Sequence, residues 1–161
     1  MVEFDDAVRG RRALDPADAT GDFALAHDPD GAGYTLAVVV DDAAMGITDV
    51  LRGDDLLDAT HGQIALQHAL GLPVPRYAHV PLVVAEDGRR LAKRHGDTRI
   101  AALREAGVDA RRVVGLLAWW CGWAECGDDL APAELLPRFD LKTLKREPAV
   151  LTPAVKGLLG L

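Results

Sequence analysis

With 161 residues, 49% of them hydrophobic and 27% charged, the chain has the make-up of one soluble globular domain with room for an apolar core, which excludes disordered and membrane-embedded classes. Its formal charge of −7 argues against a general nucleic-acid coat, because nonspecific phosphate binding needs a positive surface, and leaves only a local basic patch open. No apolar run approaches a membrane span, and Met1-Val2-Glu3-Phe4-Asp5-Asp6 lacks the basic start and apolar stretch of a secretion signal, so a cytoplasmic location is expected.

Residues 1 to 33 alternate short apolar pieces with turn signals, from Val2-Glu3-Phe4 to Asp28-Pro29-Asp30-Gly31, the pattern of short antiparallel strands. Tyr34 to Val40 is nearly continuous in apolar residues, which predicts a strand buried on both faces of a parallel sheet, ended by Asp41 and Asp42. Gly46 to Gly53 reads as a second strand. A helix follows, with Thr60 as its cap, Gln63 reaching back to it, and Gly71 and Pro73 closing it. At its start His61 reads as an exposed cap histidine, with a ligand contact as the alternative. Tyr77 to Val84 reads as another strand, its Pro81 marking a sheet edge or an irregular point, and Glu86-Asp87-Gly88 as the turn after it. Beyond Gly96 the spacing predicts one helix carrying Ile100, Leu103 and Ala106, a second beginning near Asp109, and a short one around Ala133 to Leu136. The end, Pro148 to Leu161, is punctuated by Gly and Pro and reads as loosely held.

The stretch that could carry chemistry is Arg89-Arg90-Leu91-Ala92-Lys93-Arg94-His95-Gly96, a basic loop leaving a buried strand and pointing several cations at one place, as a polyphosphate would require. On charge pattern alone, a solvated surface turn fits as well. Cys121 and Cys126 have no histidine nearby and no second Cys pair, so no metal site is expected, and they read as small buried hydrophobes.

Three blocks carry a resemblance: Tyr34-Thr35-Leu36-Ala37-Val38-Val39-Val40-Asp41-Asp42, Gly46 through Leu57, and His79-Val80-Pro81-Leu82-Val83 leading to Leu91-Ala92-Lys93-Arg94. Together they resemble the second half of the catalytic domain of class I glutamyl-tRNA synthetases, over roughly residues 2 to 141. Val38, where full-length members usually have asparagine, and the end of the chain soon after Phe139-Asp140-Leu141 bring it closest to the short form, the glutamyl-Q tRNA(Asp) synthetases, which place glutamate on a queuosine base of tRNA. The resemblance implies an α/β fold, the second half of a Rossmann-type catalytic domain with parallel sheet strands and a C-terminal helical segment. It divides the chain into residues 1–33, the tail of an inserted acceptor-binding region; residues 34–96, the Rossmann-type half with its phosphate loop; and residues 97–161, a helical segment.

The same resemblance implies an ATP-dependent ligase that activates glutamate and transfers it to tRNA, with Mg as the counter-ion of ATP. It assigns Tyr34 and Arg52 to the bound glutamate, a phenol and a forked guanidinium suited to a carboxylate. It assigns Arg90, Leu91, Ala92, Lys93 and Arg94 to the ATP phosphate loop, with Lys93 as the catalytic cation. Departures accompany the match. Arg90 and Ala92 stand where the loop usually has lysine and serine, and His61-Gly62 replaces the usual Pro-Arg after Thr60. Neither a His-Ile-Gly-His-type motif nor the short form's zinc-binding cysteines occur in the sequence. The alternative is therefore a catalytically inactive synthetase fragment serving as a binding or scaffold module, or the product of a broken reading frame. Either way, an exposed sheet edge along Leu36 to Val40 is expected to promote self-association or capture of a partner chain.

Overall fold

The computed structural model describes residues 1–28, 31–91 and 99–160. They form two compact units, Met1–Val80 and Pro81–Leu161.

The first unit is built on a four-stranded sheet in the order β2 (Gly10–Leu14), β1 (Val2–Asp6), β6 (Arg76–Val80) and β5 (Asp49–Gly53). β1 (Val2–Asp6) and β2 (Gly10–Leu14) form the expected antiparallel hairpin, in register from Val2 opposite Leu14 to Asp6 opposite Gly10. The turn between them is fixed by the Asp6 carboxylate, which accepts from the backbone N–H of Val8 at 2.9 Å and of Arg9 at 2.7 Å. β6 (Arg76–Val80) lies parallel to β1 and to β5 (Asp49–Gly53), with Arg52 beside His79 and Val50 beside Tyr77. Parallel pairing of β5 and β6 needs a crossover, supplied by α3 (Ala59–Leu70), which Gly71 ends in the left-handed conformation at φ 65°. Ile64 of α3 packs with Val2 and Tyr77, and Phe4, Val50 and Ala65 surround that cluster. A short helix, α1 (Pro16–Ala19), lies against α3, and β3 (Ala26–Asp28) and β4 (Gly31–Ala32) make a small separate ribbon.

The apolar run expected to be a buried strand is instead a helix, α2 (Tyr34–Ala44), packed against α3. A continuous Val-rich run has no period that separates strand from helix. Here Gly33, in extended conformation, starts the helix, and only Val39 of the run is fully buried. Asp41 and Asp42 lie within the helix and do not end it. Leu36 to Val40 thus presents no strand edge. The open edges of the sheet are β2 and β5.

In the second unit β7 (Val83–Val84) pairs in parallel with β8 (Ala149–Val150). The break before β7 falls at Pro81, so of the two readings of that proline the irregular point holds and the edge does not, since β6 lies between β1 and β5. Two helices follow as predicted, α4 (Ile100–Glu105) and α5 (Ala110–Cys121), the latter capped by the Asp109 side chain at the Arg111 N–H. Next come α6 (Pro132–Leu135) and α7 (Pro153–Leu158). The core is Leu103, Leu116, Val155 and Leu159, with Val113, Trp119 and Trp120 packed on it. The tail is therefore not loosely held: β8 ties it to β7, and Val155 and Leu159 are core residues. Cys121 is half-buried, its thiol pushed up by burial, whereas Cys126 is exposed and not the buried hydrophobe expected. Neither cysteine belongs to a cluster able to hold a metal among the described residues.

Candidate functional site

Arg52 sits near the C-terminal end of β5, the end of a parallel strand at which α/β folds gather their ligands. Its neighbour in register, His79, projects on the same face of the sheet, as in-register residues on adjacent strands do. The Arg52 Nε–H donates to His79 Nε2 at 3.0 Å. Its Nη2 donates to Thr60 Oγ1 and to Gln63 Oε1, both at 2.7 Å. The guanidinium carbon stands 5.3 Å from the centre of the Tyr77 ring, a cation over an aromatic face. Nη1 has no hydrogen-bond partner among the described residues, and its N–H groups are the donors of Arg52 left over. With Nε and Nη2 engaged, Nη1 can donate a charge-assisted hydrogen bond to one carboxylate oxygen.

The cradle extends into the protein. His79 is fully buried, and its ring stacks on Tyr77 with centroids 6.0 Å apart. Its Nδ1 is 2.6 Å from Asp6 Oδ2, and its backbone N–H donates to Asp6 Oδ1 at 3.1 Å. An Arg52 N–H aimed at Nε2 and a carboxylate at Nδ1 together define the tautomer: Nδ1 carries the proton and Nε2 offers a lone pair. Burial pushes the His79 ring below its ordinary value and the Arg52 charge adds to that, against the pull of Asp6. Burial alone would raise the Asp6 carboxyl. The hydrogen bonds from Arg9 N–H, from the His79 ring and N–H, and from Val8 N–H outweigh it and hold Asp6 below the usual carboxylate range. Arg9 also pairs with Asp54, joining the β1–β2 turn to the turn that follows β5.

The residues assigned to glutamate from sequence are placed as follows. Tyr34 is the first residue of α2 and is 57% exposed. No hydrogen bond joins it to Arg52 among the described residues, yet both act electrostatically on the Tyr77 phenol. Burial raises that phenol first, and its hydroxyl accepts from Gln67 Nε2 at 3.3 Å. Of the phosphate-loop assignments, Arg90 is exposed and bridges by its backbone to Val84 in the second unit, and Leu91 is half-buried. Ala92, Lys93 and Arg94 lie outside the described residues.

Three readings near α3 are corrected. Thr60 is not the helix cap: Asp58 precedes the first turn, and the Thr60 hydroxyl donates to the Leu56 carbonyl at 2.9 Å while accepting from Arg52. Gln63 does not reach back to the helix start but holds the guanidinium. His61 is fully buried against Phe4, with ring centroids 5.1 Å apart, and is not an exposed cap. Sequence reasoning also passed over Asp6, His79 and Tyr77. The signal was a histidine inside an apolar strand, since a buried ring nitrogen requires a partner.

With this geometry in place, comparison with known proteins gives a consistent picture. Residues 1–129 match the family described as tRNA synthetases class I (E and Q), catalytic domain. The chain is 48% identical over 147 residues to a glutamyl-Q tRNA(Asp) synthetase of Symbiobacterium thermophilum, across 91% of this chain and 45% of that relative. It is 40% identical over 152 residues to a glutamate–tRNA ligase of Aquifex aeolicus, across 92% of this chain and 32% of that one. In fold it is similar to the crystal structure of a glutamate tRNA ligase from Elizabethkingia meningosepticum in complex with its amino acid, with TM-score 0.77, 24% identity and coverage of 98% of this chain and 35% of that one. The chain spans about half the length of the glutamyl-Q relatives it matches.

Proposed function

Because the chain belongs to the family of class I tRNA synthetases of the E and Q type, we propose that it carries the second half of a site that activates glutamate with ATP and transfers it to tRNA. The observation that carries this reading is the Arg52 guanidinium, gripped on three of its N–H groups by His79, Thr60 and Gln63 and open at Nη1. That edge receives a carboxylate of glutamate, and Tyr34 supplies a hydroxyl beside it. In the reaction, the other carboxylate attacks the α-phosphate of ATP, the new acyl–phosphate bond forms as the bond to pyrophosphate breaks, and a tRNA hydroxyl then displaces AMP. Lys93, with Arg90 and Arg94, neutralises the negative charge that builds up on the phosphates, and Mg accompanies ATP as its counter-ion. The hydroxyl is that of queuosine in tRNA(Asp), a choice supported by Val38 and by the likeness to glutamyl-Q synthetases. The work is that of a cytoplasmic protein; among the described residues no helix is long and apolar enough to cross a membrane.

The test is glutamate-dependent exchange of labelled pyrophosphate into ATP, followed by transfer of labelled glutamate to tRNA(Asp) with and without queuosine and to tRNA(Glu). Exchange together with labelling of queuosine-bearing tRNA(Asp) alone is the expected result when the first half of the site is supplied by the N-terminal catalytic half of a glutamyl-Q relative; activity of these 161 residues alone is not expected. Glutamate binding with neither exchange nor transfer would assign the chain a binding role instead.

A further inference from the structure

We infer that His79 is a positioning residue for the ligand carboxylate: held by Asp6 with its Nε2 lone pair outward, it fixes the plane of the Arg52 guanidinium so that Nη1 faces the substrate. The inference rests on the glutamate reading for the identity of the ligand, and on geometry alone for the fixing of Arg52.

A guanidinium on a flexible stem is costly to order, and the ordering is worthwhile when its plane must match a carboxylate. Here three acceptors surround it from two elements. His79 on β6 takes Nε–H, which sets the rotation of the plane, while Thr60 and Gln63 on α3 take both hydrogens of Nη2. The only donors left are on the edge away from the cradle. For His79 to act as an acceptor its proton must sit on Nδ1, and Asp6 Oδ2 at 2.6 Å holds it there. Asp6 is itself anchored by the N–H groups of Val8, Arg9 and His79, so the carboxylate cannot swing away from the ring. Tyr77 closes the arrangement by stacking on the ring of His79 and lying under the cation. The contacts Asp6 to His79 to Arg52 thus run across β1, β6 and β5, with Arg52 and His79 in register and Asp6 reaching His79 from its place beside Tyr77. Replacing the acceptor at Nε2 leaves the positive charge of Arg52 but frees its plane.

The experiment is side-chain NMR on the full ¹⁵N-labelled chain. In the wild type, the expected result is a coupling across the Arg52 Nε–H to His79 Nε2 hydrogen bond, a protonated Nδ1 and a rigid Arg52 Nε–H. His79→Asn puts an amide where Nδ1 was and leaves nothing at Nε2; Arg52 Nε–H becomes mobile and glutamate binds about tenfold more weakly, the scale of one lost charge-assisted hydrogen bond. His79→Gln places an amide oxygen near Nε2 and restores the rigidity. A protonated Nε2 or a mobile Arg52 in the wild type overturns the inference, and these two readings need no variant to fold. An Arg52 equally rigid in His79→Asn, with the β6 amide spectrum intact, also overturns it. A rigid Arg52 in a wild-type chain that ignores glutamate retires the glutamate reading and leaves the positioning role standing.

Discussion

The side chain of Arg52 meets that of His79 nitrogen to nitrogen, donor to bare lone pair, at 3.0 Å. The contact requires a neutral histidine, because a protonated ring would set two N–H groups against each other beside a guanidinium. His79 is therefore expected to link pH to stability. Its ring is pushed below the ordinary value of 6.5 by burial first, with Arg52 acting in the same direction and Asp6 and Asp54 against it. The unfolded chain takes up the proton first as pH falls. The stabilisation is thus complete above about 6.5 and is lost as pH drops from there toward the folded value. Asp6 adds a second loss at lower pH, since hydrogen bonds hold it below its ordinary 3.8 against the effect of burial. Thr60 is the group that meets the ring edge from α3, its hydroxyl 3.2 Å from Nε2, and it does not titrate. Protection of the β6 amides from hydrogen exchange should fall as the pH drops below about 6.5 in the wild type, and a flat profile would contradict a neutral His79.

Arg52→Lys separates charge from geometry. Lysine keeps the cation but loses the planar group, and its three N–H donors cannot satisfy His79, Thr60 and Gln63 while leaving another to offer outward. Affinity for glutamate should fall about 10- to 100-fold, in keeping with the 1.5–3 kcal/mol typical of hydrogen bonds to charged groups. Calorimetric titration with glutamate and with glutamine as control measures it, and unchanged glutamate affinity would remove Arg52 from the site.

Lys93→Ala addresses the other cation assigned from sequence. Glutamate binding should persist while pyrophosphate exchange drops by roughly 10²-fold or more, the scale of removing one group that stabilises transition-state charge. Wild-type exchange in this variant would sink the phosphate-loop assignment.

How much of this was legible beforehand differs by element. The β1–β2 hairpin, β5, α3 and its Gly71 stop, the kink at Pro81 and the Asp109 start of α5 all carry local signals, namely turn residues, caps and alternation, and they fold as those signals say. Tyr34 to Val40 failed because an unbroken apolar run is compatible with either element, and what decides is the presence of α3 to pack against, a tertiary fact. The resemblance pointed to Arg52 and Tyr34 as individual residues. The Asp6–His79 support was illegible because its members are 73 positions apart in the chain and meet only through the pairing of β1 with β6. Thr60 and Gln63 were visible as a capping pattern, but that pattern is mimicked by a threonine and a glutamine selected to hold a cation.

The open edge of β5 leads to a prediction about association. Its backbone has no strand partner on the side away from β6 among the described residues, and Leu51 is 57% exposed on it. Edges of this kind pair with other chains unless charge blocks them. Leu51→Lys should lower the apparent mass in sedimentation or light scattering if the wild type self-associates through β5. A wild type that stays monomeric at high concentration would show that this edge is not used between copies.

The last prediction concerns Gly115, where the segment after α5 passes closest to the helix. A β-carbon built at position 115 would lie 1.6 Å from the carbonyl oxygen of Asp128 and 2.7 Å from its carbon. Both are backbone atoms, so no rotation of a side chain relieves the overlap. The crossing segment is also pinned, because Leu130 N–H donates to the Arg111 carbonyl at 3.1 Å and Arg112 pairs with Asp129 at 3.3 Å. Alanine is the better helix former by about 1 kcal/mol, which favours the substitution if the space existed. The clash outweighs that gain, since forcing atoms into a packed interior typically costs about 1–3 kcal/mol and a backbone that cannot yield costs more. Gly115→Ala should therefore destabilise the second unit by roughly 2–4 kcal/mol. All three tryptophans, Trp119, Trp120 and Trp123, lie in that unit, so their fluorescence during urea unfolding reports it selectively. A midpoint equal to or above that of the wild type would mean that the segment carrying Asp128 does not lie against α5 at this distance in solution.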